Sequence, residues 1–376
     1  MAAPEPFPST EGQVPLYFFK KQLAGEVPLS FPTAKQLFEK AAVLMAIRPW
    51  QFLEDQDLIL LKSPLSAETC YCSVMGALGQ VFSLHAYVGE DSYLYFRKMA
   101  AGDPISIGEF YGRLRGVYVE FVGLSQLTPP DRELARVFGH ALKRGLKTPI
   151  FRAMRPGYHP WYVTENEGVV LAECLEALIA FCERIRKGDA PHYWKAPDVY
   201  PFLAPIQRGP DGKEKEYDVK VLKIAAPLPT TPAPARLDQN RIEQIQRRNY
   251  PARGAFEAEH FYGGGMIGKR DERKAIVRLG LVADADSGFV FPPELGMPER
   301  TTSDMVASAV LNAIETARFL PREVRVSQLH FEACLEPLAR KLGFVVRTVK
   351  RLPGVEEAKE SLLAMMGDPG SLSPEK

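Results

Sequence analysis

The sequence lacks the features that define several common classes of protein. Its 376 residues carry a formal net charge of only +1, which gives no overall attraction to nucleic acid or to an anionic membrane. It has no run of 18 apolar residues, and Met1 to Pro8 has neither the basic nor the apolar region of a signal peptide. We therefore expect a cytoplasmic protein that has no membrane partner.

Cysteine is also scarce, with five residues in the chain. Cys174, Cys182 and Cys334 lie in apolar, helix-like contexts, which favours buried thiols over a disulfide framework. Nucleophile and zinc-protease motifs are missing too: there is no G-x-S-x-G, no H-E-x-x-H, and no G-x-G-x-x-G that opens a helix. These absences leave no complete catalytic set, and we expect neither an enzyme nor a cofactor.

One glycine-rich segment imitates a phosphate-binding loop. Gly263 to Lys269 has the required glycine and lysine spacing, but Arg270 stands where the loop needs Ser or Thr to hold Mg²⁺. The following residues lead into a strand-like run at Ala275 instead of a helix. We interpret the segment as a flexible hairpin linker.

The best-specified stretch in the chain is a turn followed by a helix. Arg155 to Trp161 holds two prolines and a glycine among aromatic side chains, so it predicts an ordered turn. Thr164 and Glu167 have the spacing of a capping box, and apolar residues then recur every three or four positions as far as Gly188. This turn either seals the edge of the core, which we favour, or presents a recognition surface built from Arg155, Tyr158, His159 and Trp161.

Composition divides the chain into two domains. Residues 1–14 and 367–376 are predicted to be disordered tails, and 227–240 a Pro-rich linker. Residues 15–226 are predicted to form an α+β domain with an antiparallel sheet, including a meander between 58 and 88 and a closing hairpin at 202–224. Helices are predicted at 31–46, 90–99, 105–114, 130–143 and 164–187.

Residues 241–366 have the alternation of an α/β domain with a mixed sheet. Strands are predicted at 255–261, 275–283, 288–292, 323–326 and 344–349, and helices at 241–248, 303–318, 331–342 and 356–366. Three strands followed by alternating helices and strands imply parallel pairing in the second half of this sheet.

Three further groups of residues have a functional and a structural interpretation. Cys70, Cys72 and His85 would give three zinc ligands, but we favour core cysteines. Asp284 and Asp286 would attract a cation, but Asp with Gly288 is also typical of a β-turn, which we favour. The residues Arg247, Arg248 and Arg253 around Tyr250 would suit a nucleic-acid backbone, but we favour a solvated linker helix.

Four segments resemble a bacterial family of proteins of unknown function: Cys72–Gly79, His85–Gly89, Arg155–Trp161 and Val282–Val290. The resemblance covers residues 30 to 366 as two successive domains. It implies a bacterial, cytoplasmic, two-domain protein and supplies no catalytic residue.

The element order β-β-β-α-β-α-β-α predicted for the second domain also resembles the ribonuclease H-like fold of integrases and transposases. That resemblance implies clustered metal-binding acids, for which Glu259, Asp284, Asp286 and Glu360 are the candidates. Ser327 stands where the family has an aspartate. A degenerate, inactive domain is therefore favoured over a nuclease.

Two hypotheses follow from the sequence. The first is a non-catalytic binding or interaction protein that uses the Arg155 to Trp161 surface for a protein or small-molecule ligand. The alternative is a nucleic-acid-binding or nucleic-acid-processing protein built on the ribonuclease H-like domain. We assign no metal and no cofactor to either, because the acidic set that the alternative would need is incomplete.

Overall fold

The computed structural model describes residues 26–62, 68–103, 105, 110, 112–189, 198–206, 216–224, 234–269 and 272–366. The predicted disordered tails, residues 227–233 of the linker and half of the predicted helix at 105–114 lie outside the described residues. Within the described part of the chain, no helix is long and apolar enough to cross a membrane.

The first domain is built on an eight-stranded sheet. Its strands are β1 (Ile59–Lys62), β2 (Thr69–Met75), β3 (Ser83–Val88), β4 (Gly116–Val122), β5 (Thr148–Met154), β6 (Trp161–Tyr162), β7 (Val199–Ile206) and β8 (Glu216–Lys223). They lie in the order β6-β5-β4-β3-β2-β1-β7-β8. The predicted antiparallel meander and the closing hairpin are confirmed as β1-β2-β3 and β7-β8.

The prediction of an antiparallel sheet is wrong at one pair of strands, because β1 and β7 pair in parallel and the sheet is therefore mixed. The five strands β2 to β6 and the helices between them separate these two strands in the sequence, and the last part of this connection contains the helix Glu165–Lys187. Such a connection can return the chain to the same end of the sheet, which a tight hairpin cannot do.

This sheet is covered by the helices α1 (Phe31–Ile47), α2 (Glu90–Ala100), α3 (Pro129–Val137) and α4 (Glu165–Lys187). Helices α1 and α4 share one core with the sheet, in which Leu37, Leu44, Leu171 and Leu178 are fully buried. Helix α2 belongs to a second, aromatic core on the other face. All five cysteines are buried and free, as expected for thiols that serve as small apolar side chains.

The second domain is built on a five-stranded sheet. Its strands are β9 (Ala255–Ile267), β10 (Ala275–Asp284), β11 (Glu294–Gly296), β12 (Glu323–Val326) and β13 (Val345–Thr348), in the order β11-β10-β9-β12-β13. β9, β12 and β13 are parallel, whereas β10 and β11 are antiparallel to their neighbours. The mixed α/β architecture is confirmed.

Helices cover both faces of this sheet: α5 (Gln239–Arg248), α6 (Thr302–Ala317), α7 (Leu329–Leu342) and α8 (Pro353–Met366). Side chains of α5, α6 and α7 form one core with Phe256 and Val282. Side chains of α8 form the other with Phe261 and Leu281.

Several elements differ from the sequence prediction. The third strand of the second sheet lies at Glu294–Gly296 instead of 288–292, because Pro292 and Pro293 have no N–H and break the ladder after a single bridge from Val290 to Ala283. The helix predicted to run to residue 143 ends at Val137, where Gly139 takes a left-handed φ of 70°. The strand β5 was not predicted.

The glycine-rich segment is not a linker, because Gly263 to Gly265 belong to β9. Tyr262 pairs with Arg278 and Met266 with Ile276, so three glycines stand opposite Val277 alone. Such a bulge needs backbone freedom that glycine supplies. The segment is therefore a strand irregularity and does not have the geometry of a phosphate loop.

Candidate functional site

The stretch from Arg155 to Trp161 lies where the two domains meet. Tyr158 forms an antiparallel bridge with Ala275. On either side of the bridge, the His159 N–H donates to the Lys274 carbonyl at 2.9 Å, and the Ile276 N–H donates to the Gly157 carbonyl at 2.9 Å. We call this contact, residues 155–159 of the first domain against 273–276 of the second, the seam.

Arg273 carries the seam into the interior of the first domain. Its side chain is 1% exposed, and its guanidinium donates to the backbone carbonyls of Ala153 and Tyr162, both at 3.4 Å. It also contacts the Glu167 carboxylate at 3.5 Å. Burial lowers the pKa of Arg273 to about 10. A charge buried this deeply is costly unless it is hydrogen-bonded, and these three acceptors from the first domain supply its bonds, although Nε has no partner among the described residues.

Glu167 connects the seam to the start of α4. Its Oε2 accepts the Thr164 N–H at 2.8 Å, while the Glu167 N–H donates to Thr164 Oγ1 at 3.3 Å, which confirms the predicted capping box. Its Oε1 accepts from Arg155 Nε at 2.6 Å. Arg155 donates in addition to Glu26. The capping carboxylate therefore also anchors two arginines, one from each domain.

Tyr158 and Gly157 fix a loop of the second domain. Tyr158 is 7% exposed and its hydroxyl donates to Glu299; burial and then this bond raise the pKa of Tyr158 to about 12. Gly157 has a φ of 82°, and a Cβ there would lie 2.7 Å from the Cβ of Pro298. Only glycine fits this close approach, which holds the loop before α6 against the first domain.

A cleft of about 250 Å³ adjoins the seam. Its first-domain wall consists of Gly112, Arg113, Pro156 and Gly157, so the predicted turn forms part of it. Its second-domain wall includes Tyr262, Arg278, Pro298, Arg300, the residues Thr301 to Ser303, and His330. Among the described residues, three arginines and one histidine line the cleft, and no aspartate or glutamate does.

Arg278 is the most deeply buried of these cations, at 5% exposure. It donates to the carbonyls of Met297, Pro298 and Arg300, to Thr302 Oγ1 at 2.9 Å, and to His260 Nε2 at 3.4 Å. All these acceptors are neutral. Burial, followed by the charge of Arg113, lowers the pKa of Arg278. Burial and then the surrounding cations, with Arg278 first, lower the pKa of His260 to about 3.

The cleft lies at the carboxyl ends of parallel strands. Strand β12 ends at Val326, and α7 begins three residues later beside His330. Helix α6 begins at Thr302, which also lines the cleft. The first turns of both helices therefore meet at this edge. In open α/β sheets this edge is the usual place for a ligand, and helix N-termini favour negative charge there.

Two family models match the chain. Residues 35–199 match a domain of unknown function, DUF7309, and residues 241–363 match a second one, DUF6930. The comparison with curated proteins finds no match. The matches agree with a two-domain protein of unknown function and attach no activity to either domain. The finer boundaries at 15–226 and 241–366 remain predictions.

The four candidate nuclease acids do not form one cluster within the described part of the chain. Glu259 accepts from Ser327 Oγ at 3.2 Å, and Glu360 lies exposed on α8. Asp284 Oδ1 accepts the N–H groups of Asp286 and Ser287, which is the geometry of the predicted turn. Among the described residues, no group of three or more His, Cys, Asp or Glu side chains could hold a metal ion.

The zinc alternative places its residues on opposite faces of one sheet. Cys70 and Cys72 are buried in the core beneath α1 and α4. His85 pairs with Ser73, the residue that follows Cys72 on the neighbouring strand, so the His85 side chain lies on the face opposite to Cys72. Its ring stacks on Tyr118 at a centroid distance of 4.6 Å. Since successive residues of a strand point to opposite faces, these three side chains do not converge.

The three arginines proposed for nucleic acid lie at the end of α5 and just beyond it, and all three are exposed. Arg247 contacts Glu243 at 3.4 Å, one turn away, and Arg248 donates to the Tyr250 hydroxyl at 2.9 Å. The Arg253 guanidinium lies 4.5 Å from the centre of the Phe319 ring. Each therefore has a local partner.

Sequence reasoning missed most of the cleft. Arg113, Arg278, Arg300 and His330 come from four separate elements or loops, and no local spacing links them. The one available signal was the start of α6, where Thr301 Oγ1 accepts the Asp304 N–H at 3.0 Å. That pattern predicts a helix N-terminus but does not indicate what it faces.

Proposed function

We propose that this chain is a non-catalytic binding protein whose ligand occupies the cleft between its two domains. The observation that carries the proposal is that both domains line one cavity next to the seam. Binding sites occur preferentially at such domain interfaces, where a few polar groups converge in a concave space. On the sequence argument we assign this role to the cytoplasm of a bacterium.

In this proposal the Arg155 to Trp161 stretch positions the site instead of presenting an exposed recognition surface. Arg155 and Tyr158 are engaged by Glu26, Glu167 and Glu299. His159 is half-buried, and burial lowers its pKa. Trp161 belongs to the edge strand β6. Together these contacts fix Pro156 and Gly157 in the wall of the cleft.

The test is a thermal-shift panel on the full chain, with small neutral, cationic and anionic compounds. A large ring at His330 should narrow the cleft, so His330→Trp should abolish the rise in Tm that a cleft ligand gives the unaltered protein. Leu329→Trp is the matched control, because Leu329 is 74% exposed and does not line the cleft. A rise in Tm that persists in both variants would place the ligand elsewhere, and a panel without any hit would contradict the proposal.

A second candidate function is nucleic-acid binding by a degenerate ribonuclease H-like second domain. The observation that favours it is topological: the third, second, first, fourth and fifth strands of that domain lie side by side in this order. Fold analogy alone carries this argument, and Ser327 beside Glu259 weakens any metal-dependent cleavage.

Nucleic-acid binding is tested by fluorescence anisotropy with single-stranded and duplex oligonucleotides at low and high salt. Phosphate contacts make affinity fall steeply with salt, and Arg248→Ala and Arg253→Ala should each weaken binding. Binding that neither salt nor these substitutions alters would argue against this candidate.

A further inference from the structure

The charge of the cleft identifies the chemical class of its ligand. We infer that the cleft binds a small molecule that carries a phosphate group, held between Arg113 of the first domain and the first turns of α6 and α7 in the second. This inference rests on the proposed binding function and adds the ligand class to it.

The arginines that line the cleft outnumber the carboxylates bonded to them. Arg300 has a carboxylate partner in Glu294, which also accepts from Ser308 and Asn312. Arg278 has only neutral acceptors within the described residues, and Arg113 makes no hydrogen bond or ion pair with any of them. Two guanidinium charges therefore face the cleft without a bonded carboxylate. A phosphate monoester, with a charge of about −1.5 to −2 near neutral pH, balances them.

Burial of the Arg278 guanidinium costs free energy. A buried charge is normally paired with an opposite charge, because its desolvation is not repaid by neutral acceptors alone. Arg278 is only 5% exposed, and it lines the cavity. The Glu299 carboxylate attracts Arg278 through space, but among the described residues the hydrogen bonds of Arg278 go only to neutral acceptors. An anionic group in the cleft would supply a hydrogen-bonded counter-charge.

Backbone N–H donors at the starts of two helices also lie at the cleft. Helix α6 begins at this wall with Thr302, and α7 begins beside it without a side-chain cap at Gln328. The first-turn N–H groups of a helix have no acceptor within the helix, and they favour anions. In α6 the Asp304 N–H already donates to Thr301 Oγ1, whereas α7 has no side-chain cap and offers more of these groups. Together with Arg113 they approach from both domains. A tetrahedral phosphate offers three peripheral oxygens to such a set, whereas a single arginine fork already satisfies a planar carboxylate.

The size of the cleft selects a small molecule over a nucleic-acid strand. Its volume of about 250 Å³ lies just below the range of roughly 300–1,000 Å³ that is typical of small-molecule pockets. Single-strand binding uses a groove that follows several nucleotides and aromatic faces on which the bases stack. A compact phosphorylated metabolite fits the cavity better.

The experiment is isothermal titration calorimetry of the full chain at low ionic strength. The probes are inorganic phosphate and glycerol 3-phosphate, with glycerol and acetate as comparators and a single-stranded oligonucleotide as a competitor. We expect the phosphate probes to bind and the comparators not to bind. Arg113→Ala should weaken the binding of glycerol 3-phosphate by roughly tenfold or more, the effect of losing one charge-assisted hydrogen bond.

Arg247→Ala is the matched control, because it removes an equal charge from an exposed helix that does not line the cleft. It should leave the affinity unchanged. Three results would overturn the inference: no binding of either phosphate probe at millimolar concentration, an equal loss in both variants, or tighter binding of the oligonucleotide than of glycerol 3-phosphate. If a neutral or cationic compound binds the cleft in the thermal-shift panel instead, the binding function stands and the phosphate assignment falls.

Discussion

His85 is a titratable ring in the middle of the first sheet. It lies between Ser73 and Tyr118 on neighbouring strands, and its ring stacks on Tyr118 at 4.6 Å with an interplanar angle of 13°. Its Nδ1 is buried and has no hydrogen-bond partner among the described residues. Burial lowers the pKa of His85 from the ordinary 6.5 to about 4. The folded protein therefore holds the neutral ring.

This position makes stability depend on pH in a defined direction. Between pH 6.5 and about 4 the unfolded chain binds a proton at His85 and the folded chain does not, so the free energy of unfolding falls as the pH falls. The slope from this one group is at most about 1.4 kcal/mol per pH unit. His85→Phe keeps an aromatic ring against Tyr118 but removes the titration, and we expect a shallower pH dependence.

Urea unfolding of the two proteins at several pH values between 4 and 7 measures this difference. The other histidines contribute equally to both proteins, so the difference between the curves belongs to His85. Parallel curves for the histidine and phenylalanine proteins would show that His85 is not held neutral.

At the scale of elements, the N-terminus of α4 was the most predictable feature and also the one that the seam uses. Thr164 is 3% exposed, and its hydroxyl accepts the Glu167 N–H. Thr164→Ala should lower the free energy of unfolding by about 1 kcal/mol, the usual value for a lost N-cap. Thr164→Ser keeps the acceptor and should cost much less. Urea titration with an unchanged m-value checks both variants, and equal losses would show that methyl packing matters more than the cap.

Local patterns predicted the elements whose signals lie within one stretch of sequence. The capping box and the C-terminal glycine of α4 are such signals, as is the apolar repeat of α6. Strand β5 was missed because Pro149 argues against a strand interior. In the sheet, Pro149 pairs with Phe121 on one side, while β6 reaches only Arg152 and Ala153 on the other. The proline therefore lies where no strand pairs with β5 on the β6 side, so its missing N–H costs no ladder bond there.

The site could not be predicted in the same way, because its contacts join distant parts of the chain. The turn at Arg155 to Trp161 was predicted, but its partners at Lys274 to Ile276 lie more than 100 residues away. Aromatic and basic residues in a turn indicated either sealing or recognition. Neither interpretation predicted that the second domain would pack against the turn.

At the scale of the whole molecule, Arg273 should decide whether the domains unfold together. The substitution Arg273→Ala removes a buried guanidinium and leaves Glu167 bonded to Arg155, so no unpaired carboxylate remains. We expect a loss of about 2 kcal/mol, the range for hydrogen bonds to a charged group. Because that loss falls on the seam, a single transition in differential scanning calorimetry should separate into two, one per domain.

Arg247→Ala, which removes an exposed arginine away from the seam, should keep one transition. A single transition in the Arg273 variant, with an unchanged Tm, would mean that the remaining contacts between the domains, at Gly157 and Tyr158, couple them without Arg273.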